Sequence, residues 1–269
     1  MITDQELEVF INEVYEHFGF DFSGYSRASF KRRVDRMMQM DGFPNFHEFL
    51  LKVLSDSVYF THTVEEITVN VTEMFRDPMF YKVLRTEILP ILATKPFIRF
   101  WHAGCSTGEE VYSMAIMLRE ANLLHKSLIY ATDINNVVLN VARKGVFPLR
   151  MMKQYSENYM VSGGNKDFSE YYTANYGLAK FGEDLSEKMV FSQHNLVSDG
   201  SFNEFDLILC RNVLIYFDKD LQERALGLFD SSLARLGYLA LGTKESIKYS
   251  SIQNKFRQFE KEKIWKKIK

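Results

Sequence analysis

The sequence predicts an α/β fold, with a small all-helical domain at the N-terminus followed by a doubly wound, mainly parallel sheet domain. Two patterns predict it. Residues 4–60 repeat apolar side chains at helical spacing and show no strand pattern. After Asn70, short apolar runs alternate with amphipathic helical stretches, as βαβ units require. At 269 residues, 46% hydrophobic and 25% charged, the chain suffices for a medium domain with a small companion. The division is expected between 1–68 and 69–269.

In chain order, Leu7, Phe10, Ile11, Val14 and Phe18 mark one face of a first helix, with Asp4 placed to cap its first turn. Gly19 and Gly24 interrupt it. A second helix runs from about Ser26 to Met40 with Phe30, Val34, Met37 and Met38 on one side, until Gly42 and Pro44 end it. Phe46, Phe49, Leu50 and Val53 give a third, and a helix or helix end falls near Val64–Ile67. Pro78 to Leu92 reads as a helix and "FIRFWHAG" (97–104) as a buried strand. Glu109 to Glu120 is an amphipathic helix, "SLIYATDI" (127–134) a second strand, and Asn135 to Lys144 another helix. Later strands are "KMVFSQHNL" (188–196), "FDLILCRN" (205–212) and "LGYLALGT" (236–243). Between Leu149 and Lys188 the rhythm breaks. In "NYMVSGGNKDFSEYYTANYG" (158–177) two strand-like runs flank a Gly-Gly-Asn turn, predicting a β hairpin inserted at about 150–188.

Composition narrows the function classes. A net charge of −2 gives no bulk attraction to nucleic acid or anionic membrane, so any basic recognition surface is local. Two cysteines far apart, Cys105 and Cys210, make no disulfide framework and fit a reducing cytosol. No apolar run is long enough to span a bilayer, and the acidic, helical start "MITDQELEVF" is no signal peptide. A cytoplasmic protein without membrane insertion is expected, and no metal.

The chemistry concentrates at "AGCSTGEE" (103–110), a small-residue loop between the first strand and its helix, where this architecture binds cofactors. The spacing is not that of a dinucleotide loop. Free N–H groups at a helix N-terminus attract anions, but Glu109 and Glu110 there would repel a pyrophosphate and welcome a cationic ligand. Acidic residues are also ordinary in any first helical turn. The second strand, however, ends in Asp133, where a carboxylate accepts hydrogen bonds from ribose hydroxyls. Ribose without pyrophosphate suggests an adenosine bearing positive charge, and S-adenosylmethionine, with its ammonium and sulfonium, fits.

"NVTEMFRD" (70–77), "AGCSTGEE" (103–110), "ATDIN" (131–135), "HNL" (194–196) and "CRNVLIYFD" (210–218), in this order, resemble the chemotaxis receptor methyltransferase (CheR) family. "GYSRASFKRRVDRM" (24–37) is similar to that family's N-terminal domain, so the likeness spans nearly the whole chain. The resemblance implies a Rossmann-like methyltransferase domain that moves a methyl group from S-adenosylmethionine to glutamate γ-carboxylates on the cytoplasmic helices of methyl-accepting chemotaxis receptors, leaving S-adenosylhomocysteine. It implies cofactor contacts from Asn70, Thr72 and Arg76 near the methionine end, Gly104 in the loop, Glu110 on the ammonium and Asp133 on the ribose. Asn195 and Leu196 match its adenine-edge pair, Arg211 and Asn212 its residues after the next strand, and Arg76 with Tyr216 its orienters of the substrate carboxylate. Each residue has an ordinary alternative: a helix cap for Asn70 and Thr72, a turn for Asn195, core for Leu196, a half-buried ring for Tyr216.

Arg27, Lys31, Arg32, Arg33 and Arg36 form a basic cluster on the second helix, either a dock for the acidic receptor helices or a solvated face. The inserted hairpin has the length and aromatics to take a receptor C-terminal peptide at its edge, as in some family members. Met74 replaces a usual aromatic, and "LGTKES" (241–246) departs from the family at Thr243 and Lys244. A monomer is expected. The rival readings are a methyltransferase of another substrate and a non-catalytic cofactor-binding regulatory module.

Overall fold

The structure is a computed structural model that describes residues 2–67, 72–259 and 262–269, with Glu65 described by its backbone alone. Asn70 therefore lies outside the described residues. Four helices open the chain: α1 (Asp4–Phe18), α2 (Arg27–Met40), α3 (Phe46–Ser55) and α4 (Ser57–Ile67). The cap of α1 is Thr3 and not Asp4. The Thr3 hydroxyl accepts the Glu6 N–H at 3.1 Å while the Glu6 carboxylate accepts the Thr3 N–H at 2.6 Å, satisfying two donors that no helical carbonyl can reach. Asp56 accepts the N–H groups of Val58 and Tyr59 and so starts α4 well before the stretch its apolar residues marked. Aromatic rings make the core of this part: Phe10 stacks on Phe49 at 5.7 Å, and Phe22 meets Phe30 at 5.1 Å.

Among the described residues ten strands follow: β1 (Ile98–Ala103), β2 (Ser127–Asp133), β3 (Val146–Pro148), β4 (Tyr172–Asn175), β5 (Leu178–Phe181), β6 (Met189–Gln193), β7 (Phe205–Cys210), β8 (Leu233–Leu241), β9 (Phe256–Phe259) and β10 (Ile264–Lys267). Seven of them form one sheet in the order β6-β2-β1-β7-β8-β10-β9. The first five are mutually parallel, and β10 runs antiparallel between β8 and β9. The sheet winds outward from β1 in both directions, so its switch point, and the crevice it opens, lies between the carboxyl ends of β1 and β7. β7 is buried along its whole length, as a parallel strand covered on both faces must be.

Among the described residues seven α-helices accompany the strands: α5 (Pro78–Val83), α6 (Leu89–Leu92), α7 (Glu109–Glu120), α8 (Asn136–Lys144), α9 (Met152–Val161), α10 (Glu183–Ser186) and α11 (Lys219–Ser232). The single helix expected over 78–92 is α5 and α6 joined by a π turn at Leu84–Ile88. Pro90 explains it, since it has no N–H to give to the preceding turn and its ring crowds that carbonyl.

The inserted segment is also corrected. "NYMV" (158–161) is the end of α9, and Gly163-Gly164 follows that helix instead of turning a hairpin. The hairpin is β4–β5, turned at Tyr176-Gly177, and β3 pairs with β5 to give a three-stranded antiparallel sheet that begins before residue 150. Both turn residues have positive φ, 47° and 75°, as a tight hairpin requires. A run of Tyr and Phe at 158–172 fits a helix face and a strand equally well by composition, which is why periodicity misplaced the turn.

Candidate active site

A cleft lies over the carboxyl ends of β1, β2, β6 and β7, where this architecture takes its ligands. Nine of the ten residues expected to hold cofactor line it: Thr72, Arg76, Gly104, Glu110, Asp133, Asn195, Leu196, Arg211 and Asn212. Tyr216 lines it too. Residues as far apart in sequence as Thr72 and Tyr216 thus meet because the sheet brings its strand ends together.

The loop after β1 is drawn against β2 by two hydrogen bonds from Gly104 and Cys105 N–H to the Thr132 carbonyl, at 2.8 and 2.9 Å. Gly104 sits at φ 79°, and a Cβ there would fall 2.5 Å from Val213, so only glycine lets the loop close on the neighbouring turn. Asp133 ends β2 with its carboxylate accepting the Ser106 N–H at 2.9 Å and the Asn135 N–H at 3.0 Å. Burial raises its carboxyl above the usual range, and the backbone N–H groups of Asn135, Ser106 and Ile134 pull the other way.

The adjacent glutamates separate. Glu110 faces the cleft, with one carboxylate oxygen 2.8 Å from His102 Nδ1 and the other 3.2 Å from the Arg211 guanidinium. Burial alone would raise its carboxyl, but His102 and Arg211 together outweigh that and hold it low, keeping the charge. Glu109 turns away to accept the Thr107 hydroxyl at 2.6 Å, and burial pushes it up to about 7. Of the adjacent pair, Glu110 lines the cleft and Glu109 does not.

Arg211 is a buried hub. It pairs with Asp77 at 2.6 Å and Glu110 at 3.2 Å, donates to the Arg76 carbonyl at 3.2 Å, and lies 4.1 Å from the Phe80 ring centre. Its guanidinium is thus spent on the frame around Glu110. Arg76 itself stands on a strained turn, between Phe75 at φ 53° and Asp77 at φ 57°, conformations costly for side chains with a Cβ. The buried Phe75 ring, packed on Tyr81 and Tyr159 at 5.2 and 5.3 Å, and a 3.0 Å bond from its N–H to Ser113 hold that turn. Asn195 does make turn chemistry, its side-chain oxygen accepting the Val197 N–H at 2.9 Å while the residue lines the cleft.

The basic cluster does not act as one face. Arg27 pairs with Glu8 at 2.9 Å and Lys31 with Asp4 at 2.6 Å, while Arg32 and Arg36 are exposed. Arg33 instead lines the cleft, with its guanidinium 4.8 Å from the Tyr216 ring centre and a hydrogen bond to the Ile67 carbonyl.

Sequence reasoning missed Tyr25, Glu73 and the bracing carboxylate of Glu245. Glu245 is buried and accepts the N–H groups of Gly242 at 2.6 Å, Asn212 at 2.9 Å and Ile215 at 3.2 Å, fixing the turn that carries Tyr216. Its place inside "LGTKES" was the available signal.

The donor set fits S-adenosylmethionine. Glu110 is an ionised carboxylate of the kind that pairs with an ammonium, Asp133 a carboxylate of the kind that accepts from ribose hydroxyls, and the buried Ser106 Oγ and His194 Nδ1 have no hydrogen-bond partner among the described residues.

Comparison with known proteins agrees. The family model described as "CheR methyltransferase, SAM binding domain" matches residues 70–264, and "CheR methyltransferase, all-alpha domain" matches residues 5–68. The chain is 45% identical over 266 residues to "Putative methyltransferase Cher3" of Pseudomonas putida, covering 98% of this chain and 97% of that one. It is 32% identical to the "Chemotaxis protein methyltransferase" of Borreliella burgdorferi, covering 92% and 90%, and 32% identical to that of Listeria monocytogenes, covering 92% and 93%. The chain belongs to the CheR family of chemotaxis methyltransferases, and its cofactor is S-adenosylmethionine.

Proposed function

We propose that the chain methylates glutamate γ-carboxylates on the cytoplasmic helices of methyl-accepting chemotaxis receptors, forming methyl esters for sensory adaptation. The observation that carries this reading is the convergence of Arg33, Arg76 and Tyr216 on one cleft, two cations and a phenol where an anionic acceptor fits. S-adenosylmethionine supplies the methyl group from its sulfonium. Glutamate is ionised at neutral pH and needs no general base to act as nucleophile, so the protein's work is alignment and exclusion of water. Arg76 and Tyr216 orient the acceptor carboxylate, Arg76 from its strained turn and Tyr216 from the turn that Glu245 braces. Well-aligned reactions reach effective molarities on the order of 10⁵ M or more, which makes positioning a sufficient mechanism.

The same reading gives each cleft residue its role. Glu110, framed by Arg211 and His102, takes the cofactor's ammonium, with Thr72 and the neighbouring Asn70 at the methionine end. Asp133 takes the ribose, Gly104 allows close approach, Asn195 and Leu196 border the adenine side, and Asn212 lines the cleft after β7. Residues 1–68 serve as the recognition domain and 69–269 as the transfer domain. Arg32 and Arg36 are the exposed part of the basic cluster that makes no ion pair among the described residues, and steer the acidic receptor helix toward Arg33. The edge of β4 is the place for a receptor C-terminal peptide. The enzyme works in the cytoplasm as a monomer.

The test is to incubate the chain with methyl-labelled S-adenosylmethionine and a receptor cytoplasmic fragment. Label should enter the fragment and leave as methanol in mild alkali. Alkali-stable label, or no label in the fragment, would overturn the assignment.

A further inference from the structure

The loop between α1 and α2 enters the cleft from the helical part of the chain, and its placement is tightly fixed. Ser26 N–H donates to the Tyr216 carbonyl at 2.8 Å and Asp218 N–H to the Gly24 carbonyl at 2.9 Å, bridging Tyr25 to Phe217 in an antiparallel pair. Gly24 is pressed so closely on Leu221 that an added Cβ would lie 2.7 Å from it. Between these anchors the Tyr25 ring packs edge-on against Phe217 at 5.5 Å and Phe22 at 5.2 Å, and still lines the cleft. A clasp between two parts of a chain needs only the backbone bonds. It does not require a large ring turned toward a ligand site.

We propose that Tyr25 is a cofactor-binding residue: the helical domain lays this ring over the adenosine portion of S-adenosylmethionine, the portion that Asp133 engages. The proposal rests on the assignment of the ribose to Asp133. Tyr25 and Asp133 line the same cleft, and after burial the Asp133 charge helps raise the Tyr25 hydroxyl, in keeping with a shared adenosine end. An aromatic face stacks on any nucleobase, a contact worth roughly 1–3 kcal/mol on truncation, or about five- to a hundredfold in affinity.

The test compares wild type, Tyr25→Phe, Tyr25→Leu and Tyr25→Ala by calorimetric titration with S-adenosylhomocysteine and with 5′-methylthioadenosine, which lacks the amino-acid end. Tyr25→Leu keeps apolar contact with Phe217 should the alanine variant fail to fold, and thermal melts without ligand check folding. Tyr25→Phe should bind both ligands within about threefold of wild type, and the leucine and alanine variants roughly tenfold or more weaker. The loss should be equal for the two ligands. Folded Tyr25→Leu that binds S-adenosylhomocysteine like wild type overturns the proposal and leaves a clasp. A loss seen only with S-adenosylhomocysteine overturns the adenosine placement. Undiminished binding by Asp133→Ala would instead sink the ribose assignment itself, so the two failures are distinguishable.

Discussion

Glu109 and Glu110 leave the same helical turn in different directions, and their surroundings set different charge states. Glu109 is 7% exposed and its carboxyl rises from an ordinary 4.5 to about 7. An acid whose folded pKa is raised stabilises the fold fully below about 4.5 and loses that contribution as pH rises through 7. Glu109→Gln removes the dependence. Relative to this variant, wild type should lose on the order of 3 kcal/mol of stability between pH 4.5 and 8, read from denaturant melts at each pH. A constant difference across that range would remove the burial argument. Tyr216 gives a second prediction at this scale. If it orients the acceptor, Tyr216→Phe should lower the maximal rate at least tenfold, near the low end for a lost charge-assisted hydrogen bond, and leave S-adenosylhomocysteine affinity within a few-fold. Wild-type turnover on saturating receptor fragment would strike it from the site.

At the scale of elements, the turn after β7 shows how the site is held. Asn212 adopts φ 62°, and Gly242 approaches so closely that a Cβ would lie 2.8 Å from the Asn212 nitrogen. Glu245 fills the gap with acceptors. Glu245→Gln turns an N–H₂ toward backbone donors and should cost about 1–3 kcal/mol of stability. Below its melting temperature the variant should also lose turnover several-fold, because Tyr216 is no longer fixed. Normal turnover per folded molecule would make Glu245 a purely structural brace. This dependence on residues 33 positions apart is what the sequence conceals. The βα rhythm was legible because parallel strands and their helices have different periods, and "FIRFWHAG", "EEVYSMAIMLRE" and "SLIYATDI" each fall within a residue or two of β1, α7 and β2. Cleft residues next to strand ends were legible for the same reason. Glu245 and Tyr25 were not, since each acts by a contact across the chain that leaves no periodic trace. The β4–β5 turn was lost to the ambiguity of an aromatic-rich run.

On the scale of the whole molecule, the helical part holds arginines in two settings. Arg32 and Arg36 are exposed, whereas Arg33 reaches Tyr216. Reversing Arg32 and Arg36 to glutamate should raise the apparent Michaelis constant for receptor at low salt and leave cofactor affinity unchanged. The difference should shrink at high salt, because exposed charges are screened within about 8 Å at physiological ionic strength. Arg33→Ala should lower the maximal rate instead, with little salt dependence. Initial rates against receptor concentration at two salt levels measure both. Equal curves for wild type and the double variant at low salt would confine recognition to the cleft.

The Tyr25–Phe217 bridge bears on how such enzymes diverge and how they can be re-engineered. Because the loop between α1 and α2 is hydrogen-bonded to the very turn that presents Tyr216, exchanging residues 1–68 for those of a relative would set a foreign loop against an unaltered turn. A chimera that acquires a new receptor preference must carry residues 214–218 along with the helices. On the proposed reading, receptor preference would then be exchanged as a matched pair, residues 1–68 with the turn at 214–218.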